Sequence, residues 1–431
     1  MVPHLPDYRP RTADAELASL LAAGGAVLVE GPRACGKTAT ARFAARSEVT
    51  LDTNLRARAA GLLDAATLLD GDRPRLIDEW QFVPEVWNQV RRAVDDTGGQ
   101  AGSFILTGSA VPADDATRHS GAGRILRLRM RPMSLAESGY SSGDISLAGL
   151  FAGERARAAE SGLTVRDIAS LVSVGGWPGL QGRSVDDALA ALRGYLADTA
   201  RTDLPRVDGV QREPERIKRV LHSLARYTAT QVSARAIAAD VGGPDEPIKH
   251  QTVLQYVDAL TRIFVVEDLP AWSPALRSKS RLREAPKRHF VDPSLAAAAL
   301  GARPERLVRE VDTLGLLFES LVVRDLRIYA QAMDADVLHY HDNTGLEADA
   351  VVQSRDGSWG AFEAKLGLSA IDDAADTLLR LAARVDIDRH GAPAVLAVIT
   401  GWGYGYRRPD GVSVIPIGAL APRSTPAALA S

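Results

Sequence analysis

The fold of the first part of this 431-residue chain is decided by one stretch, Gly31-Pro32-Arg33-Ala34-Cys35-Gly36-Lys37-Thr38. It matches the pattern G-x-x-x-x-G-K-[ST], in which glycines let backbone N–H groups face a phosphate and the lysine supplies a positive charge. An apolar run at residues 26–30 precedes it and is typical of a buried strand, and a helix-like segment follows from Thr38. The N-terminus of that helix adds positive potential. All eight residues are therefore expected to bind a nucleotide, with ATP as the cofactor.

An acidic pair, Asp78-Glu79, follows the apolar residues Leu76 and Ile77 at the end of a second predicted strand. We expect Asp78 to hold Mg²⁺ through a bound water, beside the Thr38 hydroxyl, and Glu79 to act as the general base on the attacking water. The next strand, at residues 103–106, leads to Thr107 and Ser109. Either hydroxyl could contact the terminal phosphate, or could simply cap a turn. Strands that alternate with helices predict a parallel α/β sheet.

Four arginines follow in a predicted strand and turn, at positions 124, 127, 129 and 131. One of them could stabilise the transition state of phosphoryl transfer, from the same chain or from a neighbouring subunit. The alternative is a solvated charged strand. Self-association is therefore a possible property of the protein.

The composition narrows the classes of protein. Hydrophobic residues make up 46% and charged residues 24%, which is typical of a globular chain and excludes disordered or collagen-like sequences. The net charge is -3, so any nucleic-acid site has to be local. A single cysteine, Cys35, forms no internal disulfide and fits a reducing cytoplasm. No apolar run reaches 18 residues, so we expect no membrane span.

The middle of the chain predicts three helices, at residues 215–228, 231–241 and 249–263, and then a strand at 264–269. Three helices followed by a β-ribbon favour a winged helix. A basic strip in the ribbon is expected to contact DNA phosphates without reading sequence. The alternative is a solvated basic wing, or one that contacts the ATP-binding part. The strip consists of Arg277, Lys279, Arg281, Arg283, Lys287 and Arg288.

Near the C-terminus, residues 347–352 and 359–365 flank an Asp-Gly turn and predict a β-hairpin. Alternation along a strand places Glu347 with Asp349 on one face, and Glu363 with Lys365 on one face. Because paired strands lie about 4.8 Å apart, these groups can converge. The carboxylates could then hold Mg²⁺ or Mn²⁺, with Glu319 completing the metal shell, while Lys365 orients a water. The alternative is a solvated or salt-bridged hairpin face.

Together these motifs resemble a bacterial and archaeal family of AAA+-like ATPases that join a P-loop module to a winged helix and a PD-(D/E)xK nuclease-like domain. The resemblance spans nearly the whole chain. Besides the residues above, it rests on these motifs: Trp80-Gln81, Leu106-Thr107-Gly108-Ser109, Pro132-Met133-Ser134-Leu135-Ala136-Glu137, Gly175-Gly176-Trp177-Pro178, Phe318-Glu319-Ser320-Leu321-Val322, Glu347-Ala348-Asp349 and Glu363-Ala364-Lys365. Cys35 in the loop and Ala348, where a larger apolar residue is usual, depart mildly from the pattern.

The resemblance implies a multidomain α/β protein. It places an ATPase domain with a helical subregion at residues 1–208, a winged helix at 209–300 and a restriction-endonuclease-like domain at 301–431. It implies ATP hydrolysis and, by fold analogy, Mg²⁺- or Mn²⁺-dependent DNA cleavage by Asp349, Glu363 and Lys365, with an exonuclease as one form of that activity. Two alternatives stay open. One is an ATP-dependent switch with an inactive nuclease-like scaffold, and the other is a protein-remodelling machine that forms hexamers and binds no DNA.

Overall fold

The first sheet forms the N-terminal part of a computed structural model that describes residues 8–108, 121–156, 159–205, 210, 212–242, 248–275 and 284–423. Its five strands are all parallel, in the order β2-β3-β4-β1-β5. The central strands are apolar and buried because helices pack against the sheet, so the predicted parallel α/β sheet is confirmed. The strands are β1 (Ala26–Glu30), β2 (Ser47–Thr50), β3 (Arg75–Asp78), β4 (Phe104–Gly108) and β5 (Ile125–Arg129), and the helices are α1 (Thr12–Ala23), α2 (Lys37–Ala44), α3 (Leu55–Leu63) and α4 (Val86–Asp96).

A helical region follows the sheet. Four of its helices begin at a Ser or Thr whose side chain accepts a hydrogen bond from the first turn, which fixes where each helix starts: Ser134, Ser146, Thr164 and Ser184. The region contains α5 (Leu135–Ser138), β6 (Ile145–Ser146), α6 (Leu147–Phe151), β7 (Glu160–Ser161), α7 (Val165–Val174) and α8 (Val185–Asp198).

Residues 212–300 form what we call the middle unit. Its three-stranded antiparallel sheet has the order β8-β10-β9, and three helices lie in the segments that the sequence predicts. Its identification as a winged helix stays a prediction. The elements are α9 (Pro214–Arg226), β8 (Thr230–Gln231), α10 (Ala234–Gly242), α11 (His250–Arg262), β9 (Val266–Leu269), β10 (Lys287–Phe290) and α12 (Pro293–Leu300).

The last part is built on a six-stranded mixed sheet, which we call the C-terminal sheet. Its order is β11-β12-β13-β14-β17-β16, and the predicted hairpin is the antiparallel pair β12 and β13. A long helix, α14, precedes the sheet in the chain. The helices are α13 (Pro304–Leu307), α14 (Val311–Gln331), α15 (Ile371–Arg384) and α16 (Ile387–His390), and the strands are β11 (Ala335–His341), β12 (Glu347–Ser354), β13 (Trp359–Lys365), β14 (Val395–Thr400), β15 (Gly403–Tyr404), β16 (Tyr406–Arg407), β17 (Ser413–Pro416) and β18 (Leu420–Ala421).

One hydrophobic core runs through all four parts, and α14 is buried in it along most of its length. The parts are also joined by strands: β18 pairs with β6, and β15 pairs with β7. Beyond β9, the backbone N–H of Trp272 donates to the His339 carbonyl at 2.6 Å. This hydrogen bond joins the middle unit to β11. The predicted boundaries at residues 208 and 300 stay predictions. Within the described ranges, no helix is long and apolar enough to cross a membrane.

Candidate nucleotide site and C-terminal carboxylate site

The phosphate loop joins β1 to α2 and needs glycine at both ends. At Gly31, φ is +153°, and a Cβ there would lie 2.3 Å from the Met130 carbonyl oxygen. At Gly36, φ is +104°, and this left-handed residue caps the N-terminus of α2. Side chains with a Cβ rarely adopt these conformations. The loop therefore directs its N–H groups and the helix N-terminus toward one point.

The two functional side chains of the loop point in different directions. The Lys37 ammonium donates to the Gly31 carbonyl at 3.0 Å and to the Pro32 carbonyl at 2.7 Å. The Thr38 hydroxyl donates to Asp78 Oδ1 at 2.8 Å. A hydroxyl and a carboxylate oxygen at this distance are a donor set that suits Mg²⁺.

Thr107, at the end of β4, lies behind the two acids. Its hydroxyl donates to Asp78, and it accepts from the Glu79 N–H at 3.2 Å. Thr107 is fully buried, so its observed contacts position the acids. Contact with a phosphate stays a prediction for Thr107, and Ser109 lies outside the described residues.

Glu79 has an unusual backbone conformation, with φ +56°. A non-glycine residue at positive φ is uncommon and is often found at functional sites. Burial raises the pKa of Glu79, an effect that the positive charge of Lys37 partly offsets. The Gln81 side chain donates to the Glu79 carboxylate. A carboxylate that is partly buried and held by a hydrogen bond is suited to act as a general base.

The loop borders a cleft of about 760 Å³. Lys37, Thr38 and Glu79 line one side, and the opposite wall comes from other parts of the chain. Tyr195 and Thr199 lie at the end of the helical region, and Ile263 and Val265 belong to the middle unit. Sequence reasoning missed all four wall residues, because no local pattern indicates which distant segments cover a loop.

The remaining loop residues have structural partners. Arg33 Nη1 lies 3.0 Å from Asp203 Oδ1, and both residues line the cleft. Ala34 adopts a positive φ of 62°. The Cys35 side chain is buried, and its carbonyl accepts from Arg11 Nη1 at 2.8 Å. Arg11, another residue that sequence reasoning missed, also bonds the Arg131 carbonyl at 2.8 Å and so supports the loop from behind.

Each of the four arginines considered for transition-state stabilisation pairs with a carboxylate of this chain, and none of the four lines the cleft. Arg124 pairs with Asp95, Arg127 with Glu30, and both Arg129 and Arg131 with Glu267. A role for one of them in a neighbouring subunit stays a prediction.

At the C-terminal sheet, the hairpin brings three predicted residues together. Lys365 Nζ lies 2.6 Å from Glu363 Oε2 and 3.7 Å from Asp349 Oδ2. The Ala364 N–H donates to Asp349 Oδ2 at 2.9 Å. Glu319, on α14, is buried near the same place, whereas Glu347 is exposed. We call Glu319, Asp349, Glu363 and Lys365 the carboxylate site.

The prediction that Lys287 contacts DNA stays a prediction, although the side chain is buried in this structure. Lys287 is the first residue of β10, but its ammonium reaches the carboxylate site, 3.0 Å from Glu319 Oε1 and 3.3 Å from Asp349 Oδ1. Alternation along the ribbon did not reveal that this lysine faces the C-terminal sheet. Arg288 is also held, since its Nη1 donates to the Val232 carbonyl at 2.9 Å. The other four basic residues of the strip lie outside the described residues: Arg277, Lys279, Arg281 and Arg283.

Burial and charge shape the titration of the carboxylate site. Burial raises the pKa of Glu319 and of Glu363, and the nearby Asp349 charge raises both further. Burial alone would also raise the pKa of Asp349, but the ammonium groups of Lys287 and Lys365, together with the hydrogen bonds to Asp349, outweigh it and lower that pKa. Conversely, the carboxylates raise the pKa of both lysines against the effect of burial.

The carboxylate site does not fit a divalent metal ion in this arrangement. Among the residues that the structure describes, no three His, Cys, Asp or Glu side chains are placed to hold one together. Lys287 occupies the space between Glu319 and Asp349, and two ammonium groups already offset much of the charge of the three acids. The expected metal role of Glu319, Asp349 and Glu363 is therefore not met by this geometry.

Comparison with known families and proteins identifies three segments. A model described as an AAA domain matches residues 23–139. Models described as Domain of unknown function (DUF8612) and Domain of unknown function (DUF4143) match residues 165–306 and 314–420. Uncharacterized proteins of Mycobacterium tuberculosis and Mycobacterium bovis are each 28% identical over 326 residues, which is 73% of this chain. The chain spans 65% of the length of these relatives.

Two solved structures are similar in part. The Walker-type ATPase of Pyrococcus abyssi is 13% identical, with a TM-score of 0.42, and the match covers 68% of this chain and 99% of that one. A single-substitution variant of Thermotoga maritima RuvB is 17% identical, with a TM-score of 0.24, and the match covers 65% of this chain and 95% of that one. The AAA match coincides with the sheet and the phosphate loop, so the N-terminal part of the chain is similar to an AAA domain and has a parallel-sheet, P-loop ATPase-like fold.

Proposed function

We propose that this protein binds and hydrolyses ATP in the cleft beside the phosphate loop, and that it uses the nucleotide to control the position of the middle unit. One observation carries the proposal: the same cleft is lined by Lys37 and Thr38 of the phosphate loop and by Ile263 and Val265 of the middle unit. A ligand that fills a cleft between two parts favours the arrangement in which both parts contact it.

Each residue of the site has a distinct role in this proposal. Lys37 exchanges its bonds to loop carbonyls for the β and γ phosphates, and loop N–H groups bind the same oxygens. Thr38 and Asp78 hold Mg²⁺, which neutralises charge on the phosphates when it is bound with ATP. Glu79 accepts the proton of the attacking water. Tyr195 and the apolar wall enclose the rest of the nucleotide.

Steady-state ATP hydrolysis by the full chain tests this proposal. Lys37→Ala removes the positive charge that contacts the phosphates. We therefore expect ATP hydrolysis to fall by about 10²-fold or more. The control is Lys218→Ala, because Lys218 lies on the surface of α9 and pairs with the exposed Glu215. Hydrolysis that survives Lys37→Ala unchanged would contradict the proposed site.

A DNA nuclease is a second candidate function. It is favoured by the proximity of Asp349, Glu363 and Lys365 on two paired strands, with Lys365 within 3.7 Å of Asp349. The test is cleavage of end-labelled single- and double-stranded DNA with Mg²⁺ or Mn²⁺, with and without ATP, beside Asp349→Ala. Cutting by the wild type alone would support a nuclease. Absence of cutting under every condition would favour a nuclease-like scaffold attached to an ATP-dependent switch.

DNA as a partner rests on the basic residues of the ribbon. Arg277, Lys279, Arg281 and Arg283 lie close together in the sequence and suit phosphate contacts. We expect a DNA complex that weakens steeply with salt and weakens further in Arg281→Glu/Arg283→Glu. Hexamers that form with ATP and show no DNA affinity would instead favour a protein-remodelling machine.

A further inference from the structure

The ammonium group of Lys287 lies inside the carboxylate site although Lys287 belongs to another part of the chain. It is within 3.0 Å of Glu319 Oε1 and 3.3 Å of Asp349 Oδ1. The side chain of Lys287 is only 6% exposed. An ammonium buried at this distance from two carboxylates is the counter-ion of both of them.

The position of Lys287 is fixed by the sheet of the middle unit. Lys287 pairs with Leu269 of β9 on one side and with Gln231 of β8 on the other. The chain that leaves β9 is bonded to β11, since the His339 N–H donates to the Pro270 carbonyl at 2.9 Å. The paired strands of the middle unit therefore hold Lys287 beside the C-terminal sheet.

A divalent cation and the Lys287 ammonium cannot share these oxygens. Mg²⁺ and Mn²⁺ bind carboxylate oxygens at about 2.1 Å, in the space between the acids where the ammonium now lies. Two cations in that space would also repel each other. One Glu363 oxygen is buried with no hydrogen-bond partner, so the site retains capacity to accept a further positive group once the ammonium leaves.

We propose that Lys287 is an internal cation that excludes divalent metal from the carboxylate site, so that docked β10 and a metal ion compete for Glu319 and Asp349. The proposal bears on the nuclease candidate but does not rest on it, because metal binding is measured without DNA. It is also independent of ATP hydrolysis, so failure of either proposed function leaves it testable.

The test is titration of nucleotide-free, full-length protein with Mn²⁺, followed by the electron paramagnetic resonance signal of free Mn²⁺. Lys287→Met keeps a similar length and removes the charge. We expect this variant to gain a Mn²⁺ site at least about tenfold tighter than any site of the wild type, the size typical of changes around metal ligands. Adding Asp349→Asn to Lys287→Met is expected to abolish the gain.

Arg288→Met is the matched control, because Arg288 is the next residue of β10 but contacts the Val232 carbonyl and Asp268, which lies outside the carboxylate site. It is expected to bind Mn²⁺ like the wild type. The proposal is overturned if Lys287→Met binds Mn²⁺ no more tightly than the wild type, or if the gained site survives Asp349→Asn.

A second measurement uses the wild type and so does not depend on the folding of a variant. Reductive methylation of the intact, metal-free protein is followed by mass spectrometry of its lysine peptides. We expect Lys287 to be protected, whereas Lys218, whose side chain is 44% exposed, reacts. If Lys287 reacts as fast as Lys218, its ammonium is not held between the carboxylates and the proposal fails.

Discussion

Glu79 combines three features that favour a general base: a left-handed backbone conformation, a side-chain hydrogen bond from Gln81, and a desolvated carboxylate. The conformation aims the side chain into the cleft, while the neighbouring Asp78 faces Thr38 and Thr107. Two adjacent carboxylates thus have different surroundings. In our proposal that difference assigns metal binding to one acid and proton transfer to the other.

Replacing Glu79 by Gln is expected to lower ATP hydrolysis by about 10²- to 10⁴-fold, because the base is lost while size and hydrogen bonding are kept. ATP binding is expected to stay close to that of the wild type, since Glu79 does not hold the phosphates. Both are measured, hydrolysis by phosphate release and binding by calorimetry. Glu85→Gln is the control, because Glu85 is exposed. Equal loss of binding and hydrolysis in Glu79→Gln would contradict the role.

The pH dependence follows from the raised pKa of Glu79. The base works only when deprotonated, so activity is present above its pKa and is lost as the pH falls through it. Because burial moves that pKa upward, the acid limb of the rate profile is expected above the range of an ordinary exposed carboxyl group. A kcat profile against pH checks this, and the limb is expected to be absent from the residual activity of Glu79→Gln.

At the scale of elements, α14 organises the molecule through a buried ionic network. Arg324 Nη1 lies 2.8 Å from Asp292 Oδ2, and its Nη2 lies 2.7 Å from Asp325 Oδ1. Asp325 accepts from the Leu135 N–H at 3.0 Å, and Asp292 accepts from the Gly176 N–H at 3.0 Å. Segments around residues 135, 176 and 292 therefore meet on one helix.

This network explains two motifs that the sequence singled out without a role. Gly176 lies against residue 133, and a Cβ at Gly176 would lie 1.9 Å from the Met133 carbonyl oxygen. Trp177, the next residue, donates from Nε1 to Ser294 Oγ at 2.9 Å. Only glycine permits this close backbone approach. The motifs hold the helical region against α14 and the middle unit, and they lie outside the nucleotide cleft.

Arg324→Leu is expected to lower the free energy of unfolding by about 3–5 kcal/mol, because it leaves two buried carboxylates without their counter-ion. Guanidinium unfolding followed by tryptophan fluorescence measures the change. The matched control is Arg306→Leu, which removes an exposed pair with Glu310 and is expected to cost about 0–1 kcal/mol. Similar effects of the two substitutions would show that the network does not stabilise the fold.

At the scale of the whole molecule, both candidate sites involve the middle unit. Ile263 and Val265 border the nucleotide cleft, and the chain continues directly into β9. β9 pairs with β10, whose first residue is Lys287. The strand β9 and its pairing with β10 therefore connect the nucleotide cleft to the carboxylate site. Because a sheet moves as a unit more readily than it shears, movement at one site is expected to reach the other.

Hydrogen–deuterium exchange tests this connection. A slowly hydrolysed ATP analogue is expected to slow amide exchange in residues 263–269, by up to about 100-fold at a concentration of 100 times Kd. The slowing is expected to be absent in Lys37→Ala, which does not hold the phosphates. Peptides from α15, which lines no part of the cleft, serve as the internal control. Unchanged exchange at 263–269 with bound analogue would show that the middle unit does not respond to nucleotide.

The sequence by itself determined the P-loop ATPase domain, because its signals are local: a loop between an apolar strand and a helix, and an acidic pair at a strand end. It also determined the hairpin that brings Asp349, Glu363 and Lys365 together, since alternation and an Asp-Gly turn fix which side chains share a face. Neighbours along the chain set these features, so they can be read without the rest of the fold.

Only the tertiary structure decided what faces each of these sites. Lys287 appeared as one more cation of an exposed strip, but it is buried between Glu319 and Asp349. The wall of the nucleotide cleft, including Ile263, comes from residues far along the chain. The physical reason is that burial and pairing depend on which distant surfaces pack together. The identity of a charged residue does not reveal whether its side chain is exposed to water or buried in the folded protein.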